Sequence, residues 1–188
     1  MKIVPAILTK NPCYRTGETI PLKGLMLHSV GCPRPSAREF VEEWDTELYE
    51  RACVHAFIDG FTGDVYQTLP WNHRGRHAGG AANLTHAGIE MCEPACLTYT
   101  SQFTFTCSDL AVAREMAGRT YAAAVELFAD LCTEYGLDPL EDGVILSHTE
   151  GHQRGAASNH ADPEHFWTGL GLRYTMDGFR ADVARAMA

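Results

Sequence analysis

The run from His148 to Asp162 carries the densest group of side chains that could do chemistry in this chain. It holds three histidines, His148, His152 and His160, followed by Asp162, in a loop-like stretch. Imidazole nitrogens and carboxylate oxygens are common zinc ligands, and they also transfer protons. The run therefore indicates metal binding or acid/base chemistry.

A second segment supplies another candidate ligand. Residues 25–27 form a short apolar run that ends at His28, and residues 144–147 form another that ends just before His148. Side chains at strand ends emerge from a sheet into a ligand cleft. A hydrolytic zinc site uses three protein ligands and leaves a fourth position for water. His28, His148 and Asp162 would supply that set, although an aspartate before a proline is also typical of a helix cap.

Three further residues are candidates for contact with a substrate. Glu90 lies among apolar neighbours in a β-like run, where a carboxylate is costly unless it has a partner or a function. It is the candidate acid/base group, and a buried ion pair is the alternative interpretation. His160 could donate a hydrogen bond to a developing oxyanion. His77 lies in the glycine-rich loop 74–80, where it could contact substrate or stabilise its own backbone.

Two histidines have a weaker case. A single histidine near a strand end is more often a hydrogen-bonded surface or core residue than a metal ligand. We interpret His152 and His165 as surface residues or as partners that orient a ligand.

The elements that must position these residues alternate irregularly along the chain. Strands are predicted at residues 24–30, 53–58, 64–68, 86–92 and 144–147, and helices at residues 37–50, 110–135 and 177–187. Turn residues between the second and third strands predict a β-hairpin. Irregular alternation favours an α/β fold with a mixed β-sheet over a strictly repeating parallel one.

The longest helix has the clearest pattern. Apolar residues recur at intervals of three and four from Leu110 to Tyr135, and Gly136 then supplies a stop signal. This apolar stripe should pack across the sheet. Upstream, Ser36 and Glu39 have the spacing of a capping box at a helix start.

The length of the chain fits one domain. We treat residues 1–188 as a single unit, with residues 1–24 as an N-terminal loop segment and a core at about residues 25–187. A chain of this size can bury about two thirds of its unfolded surface, so it needs no metal merely to hold it together. Any zinc is therefore expected to be catalytic.

Charge and cysteine content exclude several classes of protein. The chain has 15 Lys and Arg against 24 Asp and Glu, a net charge of −9, with no basic cluster on a periodic face. We therefore expect neither nucleic acid nor an anionic membrane surface as a partner. Seven cysteines in irregular spacing fit free thiols in a reducing compartment better than a disulfide framework.

Targeting signals are also absent from the pattern. The apolar run near the start is short and broken by Pro5, unlike a signal peptide, and no stretch approaches the ~20 apolar residues of a membrane helix. We expect synthesis in the cytoplasm without a signal peptide.

Together these segments resemble the zinc-dependent N-acetylmuramoyl-L-alanine amidases, a family that includes amidase-type phage endolysins and shares its fold with the peptidoglycan recognition proteins. The matching segments are residues 27–29, 55–67, 69–71, 76–79, 88–90, 147–148 and 162–163. Each segment alone is weak evidence, but their order and spacing are fairly specific.

The resemblance implies a central mixed β-sheet flanked by helices. It implies hydrolysis of the amide between the lactyl group of muramic acid and the L-alanine of the peptidoglycan stem peptide. It gives the zinc ligands as His28, His148 and Asp162. It places Glu90 in the acid/base position, and His77 and Trp71 beside the substrate.

The sequence departs from the family at three places. Ser29 stands where many members have a second histidine, His160 replaces the usual lysine, and residues 149–161 form a longer loop. Histidine loses its charge near neutral pH whereas lysine does not, so we expect activity to fall as pH rises through the pKa of His160. A rate that stays flat from pH 6 to 9 would contradict this. His160 could also bind zinc itself, with Asp162 orienting it.

Rival functions remain at this point. The same fold can bind muropeptide without cleaving it, and a papain-like peptidase could use one of the cysteines with a histidine. Within the amidases, a phage or prophage endolysin competes with a cytosolic enzyme that recycles muropeptides. We favour the endolysin, which would reach the cell wall through a separate route.

Overall fold

The computed structural model describes residues 1–188, in eight strands and six α-helices. The strands are β1 (Ile3–Pro5), β2 (Gly24–Ser29), β3 (Ala56–Ile58), β4 (Val65–Gln67), β5 (His86–Met91), β6 (Leu97–Tyr99), β7 (Phe105–Cys107) and β8 (Ile145–Ser147). The helices are α1 (Pro12–Arg15), α2 (Ala37–Trp44), α3 (Leu110–Tyr135), α4 (His148–Gln153), α5 (Glu164–Gly169) and α6 (Met176–Ala186). A 3₁₀ turn spans Ala81–Leu84.

Six strands form one mixed sheet in the order β1-β4-β3-β5-β2-β8. The β3–β4 pair is the predicted antiparallel hairpin, and the other four pairs are parallel. All five predicted strands are present, and the α/β fold with a central mixed sheet flanked by helices is confirmed. A separate two-stranded sheet pairs β6 with β7.

The two faces of the sheet are covered by different apolar clusters. Alternation along β2 and β5 sends Leu25, Leu27 and Ile89 into the main core, which α3 and α6 cover. The intervening side chains point to the opposite face, which carries two smaller apolar clusters. One cluster packs α2 against β3, and the other surrounds Met26 of β2 and Leu146 of β8. His28 and Glu90 therefore share the second face of the sheet.

The predicted stop of the long helix is correct. Gly136 has a φ of 65°, the left-handed conformation that ends a helix at little cost when the residue is glycine. None of the six helices combines the length and the apolar composition that a membrane-spanning helix requires.

The start of the chain is more ordered than expected. Residues 1–24 were predicted as a loop, but β1 pairs in parallel with β4 at the edge of the sheet, and α1 follows it. A three-residue edge strand with one proline is too short to give a periodic signal, which explains the error.

Helix α2 is shorter than predicted. It ends at Trp44 instead of residue 50, because the Asn11 side-chain amide donates to the Trp44 carbonyl and the Asp45 carboxylate accepts from the Lys10 amide. The capping box is also wrong, since the Ser36 hydroxyl makes no capping hydrogen bond. Buried Asp59, from the hairpin turn, accepts from the Ala37 amide instead.

Candidate active site

Three parallel neighbours bring the candidate residues to one edge of the sheet. In the register of β2 and β5, His28 lies directly opposite Glu90, and in that of β2 and β8, Leu27 lies opposite Ser147. His148 follows Ser147 as the first residue of α4. The carboxyl ends of parallel strands are where ligand sites form in α/β folds. The predicted convergence of the two strand-end histidines is thus present in the structure.

The metal-competent atoms of His28, His148 and Asp162 form a compact buried triangle. Nδ1 of His28 lies 3.1 Å from Nδ1 of His148 and 2.9 Å from Oδ2 of Asp162. Nδ1 of His148 lies 3.5 Å from Oδ1 of Asp162. All three residues are at most 6 % exposed.

This triangle fits a zinc ion in both size and chemistry. Tetrahedral zinc at about 2.0–2.2 Å from its ligands holds them about 3.3 Å apart, close to the observed separations. Two imidazoles and a carboxylate are also the donor types that catalytic zinc uses. The residues present therefore fit the metal.

Asp162 is free to serve this cluster. Helix α5 begins at Glu164, and the Asp162 carboxylate makes no capping hydrogen bond to it, so the helix-cap interpretation is wrong. Burial disfavours the charge on Asp162, but contacts with His148 and His28 outweigh it and hold its pKa well below the usual range. Asp162 therefore stays ionised, as a metal ligand must.

Glu90 reaches the same cavity without a partner. Its Oε2 atom is buried and has no hydrogen bond. Burial raises the pKa of Glu90 well above its usual value, and the negative charges of Asp162 and Glu93 raise it further. The ion-pair alternative has no cation here. A buried, unpaired carboxyl group in a cavity is a candidate for proton transfer.

The cavity that these residues share has a volume of about 670 Å³. Six of the candidate site residues line it: His28, His77, Glu90, His148, His160 and Asp162. His165 lines it too, although it was one of the weak candidates. No cysteine lines the cavity, and all seven cysteines are free thiols.

His160 lies at the exposed side of the cluster. Its Nδ1 is 3.0 Å from Oγ of Ser158 and 3.2 Å from Nε2 of His148. It contacts the far nitrogen of His148, not the atom that faces His28. Burial, and secondarily the charge of His148, lower the pKa of His160. The expected loss of activity with rising pH should therefore begin below the ordinary histidine range.

His77 packs behind His28 and has little exposed surface. Its Nδ1 lies 3.0 Å from Nε2 of His28, and its Nε2 lies 3.0 Å from the His86 carbonyl. The ring occupies the space above Gly88, where a Cβ would overlap it. Burial lowers the pKa of His77 well below its usual value, so the ring is neutral.

Two other predicted positions lie away from the cavity. Trp71, expected beside the substrate, is half-buried against the main core and does not line the cavity. His152 is exposed on α4, where its Nδ1 contacts the Ala157 carbonyl.

The sequence did not single out Ser158, which contacts His148, or three arginines that line the cavity, Arg51, Arg74 and Arg76. It also did not single out Glu93, which is fully buried and accepts hydrogen bonds from the Tyr99 hydroxyl and the Gly31 amide. Residue type and spacing give no signal for any of them, because their positions depend on tertiary contacts.

Glu93 should make stability depend on pH. Burial raises its pKa from 4.5 to about 7, so the folded protein binds a proton that the unfolded chain releases. This contribution is complete below pH 4.5 and is lost as pH rises through 7, a change of up to about 3 kcal/mol. Urea unfolding gives the free energy of unfolding of metal-free wild type and Glu93→Gln at pH 5 and at pH 8. From pH 5 to pH 8, the value for the variant should rise relative to the value for wild type. A difference that does not change with pH would contradict this.

Solved structures with similar folds include amidases and endolysins. The Staphylococcus aureus hydrolase AmiA matches with a TM-score of 0.70 and 18% identity, over 99% of this chain and 82% of that one. The catalytic domain of XlyA gives 0.65 and 19%, over 97% and 99%. A mutant endolysin from Bacillus subtilis gives 0.64 and 18%, over 97% and 99%. At these identities the likeness shows the shared fold.

No curated protein sequence matches the chain. A family model described as N-acetylmuramoyl-L-alanine amidase matches residues 18–165, which hold every candidate ligand and Glu90. The chain therefore belongs to the N-acetylmuramoyl-L-alanine amidase family of peptidoglycan hydrolases.

Proposed function

We propose that this chain is a zinc-dependent amidase that cleaves the bond between N-acetylmuramic acid and the L-alanine of the stem peptide, as the catalytic domain of a phage or prophage endolysin. One observation carries the proposal: a buried triangle of two imidazoles and a carboxylate shares its cavity with the unpaired carboxyl group of Glu90. The family match supports the reaction type.

The position of each residue in the cavity supports a different proposed role. His28, His148 and Asp162 would hold the zinc. When bound, zinc would supply Lewis acidity that polarises the scissile carbonyl and lowers the pKa of water. Glu90 would accept a proton during nucleophilic attack and return it to the leaving nitrogen, for which its raised pKa is suited. His160, at the open side of the cavity, would donate a hydrogen bond to the oxygen that becomes negative.

The charge of the cavity suits an anionic peptide. Arg51, Arg74 and Arg76 are among its lining residues, although the chain as a whole carries a net charge of −9. Arg74 pairs with Glu18, and Arg76 donates to the Glu50 carbonyl, so both side chains are held in place. We propose that these arginines attract the carboxylates of the stem peptide.

The reaction can be tested on purified cell walls. Incubation with the protein should release new N-terminal alanine, a chelator should stop the release, and added zinc should restore it. Thiol alkylation should leave the rate largely intact, because no cysteine lines the cavity. Binding to cell walls without release of alanine would instead identify a non-catalytic binding module, and inhibition by alkylation alone would favour a cysteine peptidase.

A second comparison separates the two kinds of amidase. An endolysin domain should hydrolyse intact, cross-linked cell wall, whereas a recycling enzyme should prefer soluble muropeptides. We propose that the chain acts on the wall after release by a separate route, and that peptidoglycan is its partner. Mass spectrometry of both digests, at equal amounts of stem peptide, would measure the preference.

A further inference from the structure

We propose that two residues outside the ligand set determine which ring nitrogen of each ligating histidine carries the proton: His77 does so for His28, and Ser158 for His148. Both histidines would then present an unprotonated Nδ1 toward Asp162. This inference rests on the proposed zinc function, but it concerns the positioning of the ligands and not the reaction.

The argument for His28 starts at a backbone carbonyl. The Nε2 atom of His77 lies 3.0 Å from the oxygen of His86, and a carbonyl can only accept, so this nitrogen must carry a proton. In the neutral ring the Nδ1 atom of His77 is then a bare acceptor. It lies 3.0 Å from Nε2 of His28, from which it can accept a hydrogen bond. When zinc takes the place of the proton between Nδ1 of His28 and Asp162, His28 would therefore carry its proton on Nε2 and present the Nδ1 lone pair to the metal.

Packing holds His77 in the orientation that this relay needs. The ring is buried, its backbone amide donates to the Asn83 side chain, and its face lies on Gly88 of β5. A side chain at residue 88 would displace the ring, so the glycine creates the space that His77 fills. The relay from the sheet backbone to His28 is thus built into the fold.

The argument for His148 uses a hydroxyl group. Oγ of Ser158 lies 3.3 Å from the Ala78 carbonyl, to which it can donate, and 3.1 Å from Nε2 of His148, from which it can accept. The Ser158 backbone amide also donates to Ala78, which fixes the loop. Nδ1 of His160 lies 3.0 Å from the same hydroxyl and can also take its proton, which leaves Oγ free to accept from His148. With zinc at Nδ1, His148 would therefore carry its proton on Nε2 as well, and its Nδ1 would face the metal beside His28 and Asp162.

The opposite nitrogen of each ring faces the ligand triangle. Nδ1 of His28, Nδ1 of His148 and the Asp162 carboxylate lie 2.9–3.5 Å apart. Without a metal, the carboxylate accepts a hydrogen bond from a ring nitrogen that carries a proton, and zinc would displace that proton when it binds. His77 and Ser158 would then hold the remaining proton of each ring on Nε2, so that both Nδ1 lone pairs face the metal.

The test compares Ser158→Ala with Asn159→Ala, an exposed neighbour on the same loop, by zinc affinity and by nuclear magnetic resonance of the histidine rings. Chelator competition should show Ser158→Ala binding zinc about 10–100-fold more weakly than wild type. Asn159→Ala should bind as wild type does. In zinc-loaded wild type, the rings of His28 and His148 should carry hydrogen-bonded Nε2 protons, and Ser158→Ala should accelerate exchange of the His148 proton alone.

His77 is tested with two replacements, Asn and Leu. Asparagine can keep an acceptor for His28, whereas leucine keeps apolar volume but loses the acceptor. If His77 sets the proton of His28, His77→Asn should bind zinc more tightly than His77→Leu. A purely structural role predicts the reverse order. Thermal unfolding without zinc checks that each variant is folded.

Three results would overturn the proposal. One is a His28 or His148 ring in zinc-loaded wild type that carries its proton on Nδ1, and the second is wild-type zinc affinity in Ser158→Ala. The third is tighter zinc binding by His77→Leu than by His77→Asn. These readouts are independent of cell-wall hydrolysis. A protein that binds zinc as described but releases no alanine would contradict the proposed function and leave this inference standing.

Discussion

Replacing Glu90 with alanine or glutamine is expected to slow the release of alanine from cell walls by about 10²–10⁴-fold, the range for loss of a positioned acid/base group. Zinc affinity should be unchanged, because Glu90 is not one of the three residues of the metal cluster, His28, His148 and Asp162. Neither variant should lose stability through a missing hydrogen bond, since Oε2 of Glu90 has no partner. The rate constant and the zinc dissociation constant, measured on the same preparations, check both statements.

Glu93→Gln is the matched control for this experiment. Glu93 is a buried carboxylate on the same segment, but it does not line the cavity and it has its own hydrogen bonds. Its replacement should keep most of the wild-type rate. If Glu90→Ala retained the wild-type rate, the acid/base assignment would be wrong.

Replacing Asp162 with alanine should weaken zinc binding and slow hydrolysis, whereas replacing His160 should slow hydrolysis alone. Asp162 contacts both histidine Nδ1 atoms that face each other, while His160 contacts the opposite nitrogen of His148. We expect Asp162→Ala to weaken zinc binding by roughly 100-fold or more. His160→Ala should still bind one zinc ion, with a rate reduced by about 10²–10³-fold through loss of the oxyanion donor.

The opposite result for zinc binding would exchange the roles of Asp162 and His160. If His160→Ala lost zinc and Asp162→Ala kept it, His160 would be the third ligand and Asp162 its orienting partner. Metal analysis of the two purified variants decides between these arrangements, and anomalous density at the zinc edge in crystals of wild type would locate the ligands directly.

The sequence predicted the parts of the fold that have local periodicity or a clear stop signal. The strands that carry His28 and Glu90, and the strand that ends just before His148, are short β-rich runs, and α3 has a long apolar stripe that stops before Gly136. Errors arose where a distant contact decides the structure. The end of α2 depends on Asn11, and its first amide is capped by Asp59 from the hairpin turn, neither of which a local pattern reveals.

The candidate site divides in the same way. Residue type pointed to the proposed ligands, because few kinds of side chain bind zinc, and His28 and His148 lie at or just after the end of a predicted strand. Residue type did not reveal that His77 packs behind His28. The burial of this loop histidine depends on Gly88 of β5, which leaves space for the ring. Ser158 was equally hidden, since serine is common in loops and its contact with His148 exists only after folding.

The pairing of His28 with Glu90 across β2 and β5 fixes a length inside the site. Neighbouring strands lie about 4.8 Å apart, a spacing set by backbone hydrogen bonds that no side-chain replacement alters. A slip of one residue would turn Glu90 to the opposite face of the sheet. A chain with that register would have no carboxyl group from β5 in the cavity, so we expect it to be inactive. The spacing between the strand positions of His28 and Glu90 therefore depends on the backbone of the sheet and not on the loops around the cavity.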